Sequence, residues 1–421
     1  MIIQVTEIVL IVVLCFYGMK CTFIRKDVFM LFFWMINMYQ SLMAATISFG
    51  YLQESTDELW KIQLDLLNNS PACFIHIIFL CNLSFSLVEY YLKQKTDQYS
   101  YDFTQSSFEQ IENNHLLFKV LLLVFFLSGG LYFLTYVNMD YSSFNRIAYN
   151  SNKFITRLMQ VSSCVVFYLA YKRKWFLLGY FFMLFMVLSM RTTVRSLLYI
   201  VMLPTLTYYL MQYWQKGLDF KRFAKVTLLL FFLGIGVGVY MSFDKMGGVI
   251  MLPDAELSTL ALNALNKYNF EMDGYRTFDT IINFFHGLLG PFMGILATFG
   301  LNFENPVSFS YVSAALMKGE TDLTATVGEW HCPSTIYLDF YVSWGWAFPI
   351  FCVLNYFLFV YVFRWINKRP ILVVLLSYQL MLFLYFFIRG AVDTASGTLS
   401  YPLIYIMIIY SVLSSKKQTI L

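Results

Sequence analysis

The sequence predicts an all-α, polytopic integral membrane protein with about eleven spanning helices and a further re-entrant or interfacial helix in a long external loop. Three observations carry this expectation. Of the 421 residues, 59% are hydrophobic, 20% aromatic and only 13% charged, whereas a soluble domain carries roughly 25% charged residues. The apolar runs reach or approach the roughly 20 residues a helix needs to cross about 30 Å of hydrocarbon. Lysines and arginines gather between those runs, in clusters that follow every second one. A single membrane domain over residues 1–421 accounts for the length, with no second soluble domain.

In chain order the spans are expected at Ile2 to Met19, Val28 to Phe49, Ala72 to Leu92, Leu116 to Val137, Phe154 to Tyr171, Trp175 to Met190, Leu197 to Trp214, Val226 to Phe243, Ile336 to Phe363, Ile371 to Ile388 and Leu399 to Leu413. The first run has no basic segment before it and no small-residue cleavage site after it, so it reads as a retained helix and not as a signal peptide. The basic clusters are Lys20/Arg25/Lys26, Lys93/Lys95, Lys172/Arg173/Lys174, Lys216/Lys221/Arg222/Lys225, Arg364/Lys368/Arg369 and Lys416/Lys417. Basic loops stay in the cytoplasm, which puts the N-terminus outside and the C-terminus inside. Phe278 to Leu301 is apolar enough to span, but a full crossing would move the last two clusters outside. It is expected instead to be re-entrant or interfacial, broken near Gly290-Pro291, where protein and not lipid must satisfy the freed backbone groups. Asp244 to Thr335 is then one external segment, residues 244–335, of about ninety residues, and long ordered loops are usually functional.

The formal net charge of +4 follows from the basic cytoplasmic loops of a membrane protein and points to no nucleic acid. Cys15, Cys73, Cys81, Cys164 and Cys352 fall inside apolar runs, Cys21 lies just after one, and Cys332 sits in the long loop. No disulfide framework is expected from that pattern. There is no phosphate-binding glycine loop, no dinucleotide fingerprint and no metal-ligand spacing, so no cofactor and no metal are expected.

External arginines run against the charge bias and need a reason. Arg191 and Arg195 stand in the turn between the sixth and seventh spans, Arg276 in the long loop, and Arg389 just after the tenth span. A guanidinium stays charged when desolvated and binds phosphate oxygens bidentately, which suits a lipid-linked phosphate or diphosphate at the membrane boundary. The alternative is that each reaches lipid headgroups or a carboxylate such as Asp273 or Asp393. Of the four histidines, His76 lies in a span, His115 in a cytoplasmic loop, and His286 and His331 in the external segment. His331 and Glu329, just before the ninth span, are the candidate bases at the membrane surface. The bland reading of His331 is a loop histidine bonded to backbone.

Tyr337-Leu338-Asp339-Phe340, followed by Gly345 and a long apolar span, resembles the Tyr-x-Asp-Phe-Gly-type signature of the O-antigen polymerases, the Wzy family, with Tyr341 where glycine is usual. Arg276, ten residues and then Gly287 resemble the Arg-x10-Gly pattern of that family's external loops. Ser189-Met190-Arg191 is similar to the Gly-Ser-Arg found at the corresponding span end in polymerases and the related O-antigen ligases. The ligases carry a histidine eleven residues before the glycine, where this chain has Ser334, which disfavours the ligase alternative.

The resemblance implies a membrane glycosyltransferase of the GT-C type in the bacterial inner (cytoplasmic) membrane, with its active site facing the periplasm. Its substrate would be an undecaprenyl-diphosphate-linked oligosaccharide in membrane lipid, and a chain-length regulator and a flippase would be its partners. The reaction would pass the growing glycan to a hydroxyl of the incoming lipid-linked repeat unit, in lipopolysaccharide or related polysaccharide biosynthesis. The sugar–diphosphate bond supplies the energy, so no nucleotide is required. Arg191, Arg195, Arg276 and Arg389 are assigned to the diphosphates and His331 or Glu329 to the base. Trp330, Tyr337 and Asp339 are assigned to sugar, although interfacial aromatic residues are also an ordinary belt. A lipid-linked oligosaccharide flippase is the rival reading, against which stand the lack of internal repeats and the placing of charges at span ends.

The charge alternation makes a topology prediction. With single cysteines in a cysteine-free background, a membrane-impermeant thiol reagent added outside should label position 310 (Ser310) and leave position 368 (Lys368) unlabelled; the reverse pattern would overturn the topology.

Overall fold

The structure is a computed structural model that describes residues 2–47, 71–95, 105–136, 153–192, 196–217, 219–225 and 335–389. It also describes the isolated positions 281, 285, 289, 395, 396, 398, 399 and 404. Among the described residues the chain is all-helical, with no strand. The helices are α1 (Ile2–Ile24), α2 (Val28–Ile47), α3 (Pro71–Lys93), α4 (Gln105–Glu112), α5 (His115–Tyr136), α6 (Lys153–Ser162), α7 (Val165–Tyr171), α8 (Trp175–Thr192), α9 (Ser196–Gln215), α10 (Ile336–Trp344), α11 (Phe348–Asn367) and α12 (Pro370–Arg389). The expected spans Val226 to Phe243 and Leu399 to Leu413, the external segment Asp244 to Thr335 and its helix Phe278 to Leu301 lie outside the described residues, apart from Thr335 and isolated positions.

Five described helices are long and apolar enough to cross a membrane by length and composition: Ile3–Ile24, Ile75–Lys93, His115–Thr135, Gly345–Asn367 and Pro370–Arg389. Their outward faces are apolar too. On α5 the exposed residues Leu116, Val120, Leu123, Leu127, Leu131 and Leu134 recur at helical spacing. On α11 Ile350, Leu354, Leu358 and Tyr361 do the same. Stripes of this length would be large apolar patches in water; against lipid they need no further partner. These helices are those of a membrane-embedded protein.

The chain divides into two compact units. The first takes residues 1–100, 227–363 and 383–400. In it α1 packs along both α2 and α3. Glu7 of α1 meets His76 of α3, Cys15 meets Asn82, and Arg25 meets Glu89, so α1 and α3 run parallel. This is the arrangement expected of two helices separated by one returning span.

The ninth expected span, Ile336 to Phe363, is not one helix. It begins as the nine-residue α10, turns through a 3-10 segment at Gly345–Ala347 and continues as α11. Gly345 ends α10 at φ 53° and ψ −143°, a backbone state open to glycine and strained for any side chain. Hydropathy runs unbroken across this point, so composition gave no sign of the break.

The second unit takes residues 101–226, 364–382 and 401–421. Here α5 packs on α6, and α9 packs on α7 and α8. The expected span Phe154 to Tyr171 is interrupted between α6 and α7. Ser162 Oγ donates to the Leu158 carbonyl at 2.7 Å and Ser163 Oγ to the Gln160 carbonyl at 2.6 Å, the back-bonding that bends helices. The Gln160 carbonyl also accepts from Gln379 Nε2 at 2.8 Å. Near the basic cluster after α7, Lys172 Nζ donates to Glu112 Oε1 at 2.6 Å. That hydrogen bond holds the Glu112 carboxyl below the ordinary carboxylate range.

A close approach between helices of the first unit lies at Gly18, where a Cβ would sit 2.1 Å from Trp34 Cε2. Trp34 is fully buried and can lie across α1 only because Gly18 has no side chain. Gly18→Ala should therefore destabilise the protein by about 1–3 kcal/mol, the range for overpacking. Gly130→Ala on α5, where a Cβ meets nothing within 4 Å, should be neutral or slightly stabilising through helix propensity. Melting of both variants in detergent measures the contrast, and equal effects would contradict it.

Candidate functional site

Polar side chains in the first unit lie at three levels along α1 and α3. About 27 Å of helix separate Glu7 from Arg25 at 1.5 Å per residue, close to the thickness of the hydrocarbon core. Lipid offers polar groups no water, so each level must be satisfied by protein or opened to solvent.

The level nearest the basic residues Lys93 and Lys95 is a sealed ion pair. Arg25 and Glu89 are buried and joined through both guanidinium NH2 groups, with Nη2 donating to Oε1 at 2.8 Å and Nη1 to Oε2. The Tyr356 hydroxyl also donates to Glu89 Oε1 and accepts from Trp34 Nε1 at 2.6 Å. Phe33, Trp34, Phe85 and Tyr356 form one aromatic cluster, with ring centroids 5.2 to 6.3 Å apart. A two-pronged pair with its remaining lone pairs bonded is the geometry in which attraction offsets desolvation.

The middle level is a closed ring of hydrogen bonds among uncharged groups. Asn82 Nδ2 donates to Ser41 Oγ at 3.3 Å, and Ser41 Oγ is 3.3 Å from the Tyr337 hydroxyl. Tyr337 donates to Asn37 Oδ1 at 2.5 Å, and Asn37 Nδ2 donates to Asn82 Oδ1 at 2.5 Å. Cys15 Sγ donates to the same Asn82 oxygen at 3.2 Å. All five residues are buried. The ring fastens α1, α2, α3 and α10 to one another.

The third level, nearest the N-termini of α1 and α3, is open. Glu7 is buried, His76 is half-exposed, and Glu7 Oε1 lies 2.6 Å from His76 Nδ1. In the tautomer that donates from Nδ1 to this carboxylate, Nε2 is the ring nitrogen left to accept. The Trp346 ring lies with its centroid 6.3 Å from the His76 ring, and Tyr341 stands edge-on to Trp346 at 5.2 Å. Trp346 belongs to the break between α10 and α11 and is mostly exposed.

Tyr337 and Asp339 both fall on α10, and both are fully buried. Tyr337 gives its hydroxyl to the middle ring, and Asp339 Oδ1 accepts from Ser343 Oγ at 3.1 Å. Arg389 is the last residue of α12, with Nη1 donating to the Tyr385 hydroxyl at 2.9 Å and the guanidinium over the Tyr385 ring at 5.5 Å. Arg191 is the penultimate residue of α8. Arg195, Arg276, Glu329, Trp330 and His331 lie outside the described residues. Sequence reasoning passed over Glu7 and His76, assigning both to spans. The signal available was an ionisable residue inside each of two apolar runs, which marks a functional position by default.

In the second unit, Phe108, Tyr171, Arg173, Tyr208, Gln212 and Gln215 line a cleft of about 200 Å³. It sits beside the basic clusters at Lys172 and Lys216, whereas the open dyad of the first unit lies at the helix ends remote from Lys93. The chemistry-bearing groups, and not this cleft, define the candidate site.

No family model matches the chain, and no curated protein or solved structure matches it either.

Removing one member of the sealed ion pair leaves the other charge buried. Arg25→Met or Glu89→Leu alone should destabilise by about 3–5 kcal/mol, and the double variant should recover much of that loss. Denaturation of the purified protein checks this; a double variant no more stable than either single one would contradict it.

Proposed function

We propose that the chain is a polymerase of undecaprenyl-diphosphate-linked oligosaccharide repeat units, of the O-antigen polymerase (Wzy) type. It would lie in the bacterial inner membrane with about eleven spans and act at the periplasmic face. The growing glycan leaves its lipid diphosphate and joins a hydroxyl of the incoming repeat unit. A chain-length regulator and a flippase would work beside it.

The observation that best supports this reading is the Tyr337-to-Gly345 segment. The residues that resemble the polymerase signature form one short helix, closed by a positive-φ glycine, inside an otherwise apolar stretch. Backbone that departs from a continuous helix at membrane depth is tolerated where protein covers it or where it lines a cavity, and a polar substrate needs such a place. Arg191, Arg195, Arg276 and Arg389 are the proposed diphosphate ligands, since a leaving diphosphate needs donors that hold its developing charge. His331 or Glu329 is the proposed base. A broken helix also suits a transporter, so lipid-linked oligosaccharide flipping is the reading the test must separate.

The test is reconstitution in proteoliposomes with a synthetic undecaprenyl-diphosphate repeat unit and no nucleotide. A polymer ladder on a gel supports the polymerase; movement of the unit between leaflets without a ladder supports the flippase. Arg276→Lys should keep part of the activity because it keeps the charge and loses the fork. Arg276→Ala should fall about 10²- to 10³-fold, the range for losing one donor to a developing negative charge. Wild-type polymerisation by well-inserted Arg276→Ala and Arg191→Ala would remove the arginines from the mechanism.

A further inference from the structure

Glu7 and His76 take no part in the ion pair or the ring that fasten the first unit together. A buried carboxylate costs several kcal/mol unless it is well bonded, and an apolar pair at this place would join α1 to α3 as well. The dyad is about 7.5 Å of helix from the start of α1 and of α3 at 1.5 Å per residue. The bland reading is an interfacial pair beside a belt tryptophan. Two features go beyond it: the imidazole is half-exposed with Nδ1 2.6 Å from Glu7 Oε1, and the exposed indole beside it belongs to the helix break.

An apolar indole face next to a proton-accepting nitrogen fits one class of ligand, a sugar ring. The C–H face of the ring covers the indole while a hydroxyl at its edge reaches the nitrogen. We propose that His76, oriented by Glu7, is the base for the acceptor hydroxyl of the incoming lipid-linked repeat unit, and that Trp346 is the surface on which that acceptor sugar stacks. The proposal rests on the polymerase reading and moves the base from His331 or Glu329 to His76.

His76 Nε2 takes the proton of the acceptor O–H as that oxygen forms a bond to the anomeric carbon of the growing glycan. The bond from that carbon to the diphosphate oxygen breaks, and its electron pair leaves with the lipid diphosphate. The imidazolium, stabilised by the Glu7 carboxylate, returns its proton to water at the open side of the dyad. Glu7 touches no reacting atom and is a positioning residue.

The experiment uses the full chain in proteoliposomes with the synthetic undecaprenyl-diphosphate repeat unit, and each variant is first checked for a cooperative melt. His76→Ala should lower turnover about 10²- to 10⁴-fold with substrate binding retained, and added imidazole should restore part of the rate. Glu7→Gln should lower kcat more than it changes KM, without rescue by imidazole. Trp346→Ala should raise KM for the acceptor, and Trp346→Phe should keep most of the affinity. If His76→Ala fails to fold, His76→Gln replaces it, since the amide can still donate to Glu7 but cannot act as a base. A folded His76 variant that polymerises at the wild-type rate overturns the proposal and leaves the polymerase reading standing. A wild-type protein that makes no polymer overturns the polymerase reading and this proposal with it.

Discussion

A membrane interior gives a polar side chain no water, and the first unit is organised by that constraint. The buried ion pair and the buried asparagine ring each find their partners on other helices. Arg25 and Glu89 hold α1 to α3, Tyr356 adds α11, and the indole of Trp34 adds α2. Apolar contact alone would leave such helices free to slide and rotate, since lipid is as apolar as they are. Hydrogen bonds with fixed partners set one register. Gly18 belongs to the same arrangement, because only its missing side chain lets Trp34 reach Tyr356.

The register in turn decides what remains available for chemistry. The ion pair and the asparagine ring use up their donors and acceptors internally, so they are structural. Tyr337 illustrates this well: a residue that sequence assigns to sugar is placed by the fold with its hydroxyl in the buried ring. Glu7 and His76 differ because the carboxylate is inside and the imidazole is half outside. The break at Gly345 brings Trp346 beside them. A site of this kind needs no metal or nucleotide to move a proton, which suits a reaction whose energy already resides in a sugar–diphosphate bond.

Much of the fold was legible in the sequence, for physical reasons. Hydropathy and helix length are set by the bilayer, so the described helices α1, α2, α3, α5, α8, α9 and α12 begin and end within a few residues of the expected spans. What was not legible depended on single residues or distant partners. The end of α10 turns on one glycine's φ, and hydropathy is blind to it. The break between α6 and α7 rests on two serine hydroxyls folding back on their own helix. Arg25 was read as one of a cytoplasmic basic cluster, because its partner Glu89 is 64 residues away in the chain. His76 was read only as lying in a span for the same reason, its partner Glu7 being two helices earlier in the chain and adjacent in space.

The polymerase proposed above would join glycans by expelling a lipid diphosphate, without a nucleotide. The most direct measurement counts undecaprenyl diphosphate released against glycosidic bonds formed, in proteoliposomes that contain only the purified protein and a lipid-linked repeat unit. The proposed polymerase activity requires one lipid diphosphate released for each bond, with no added nucleotide. Repeat units that change leaflet with no diphosphate released, or bond formation that requires a nucleotide, would contradict it.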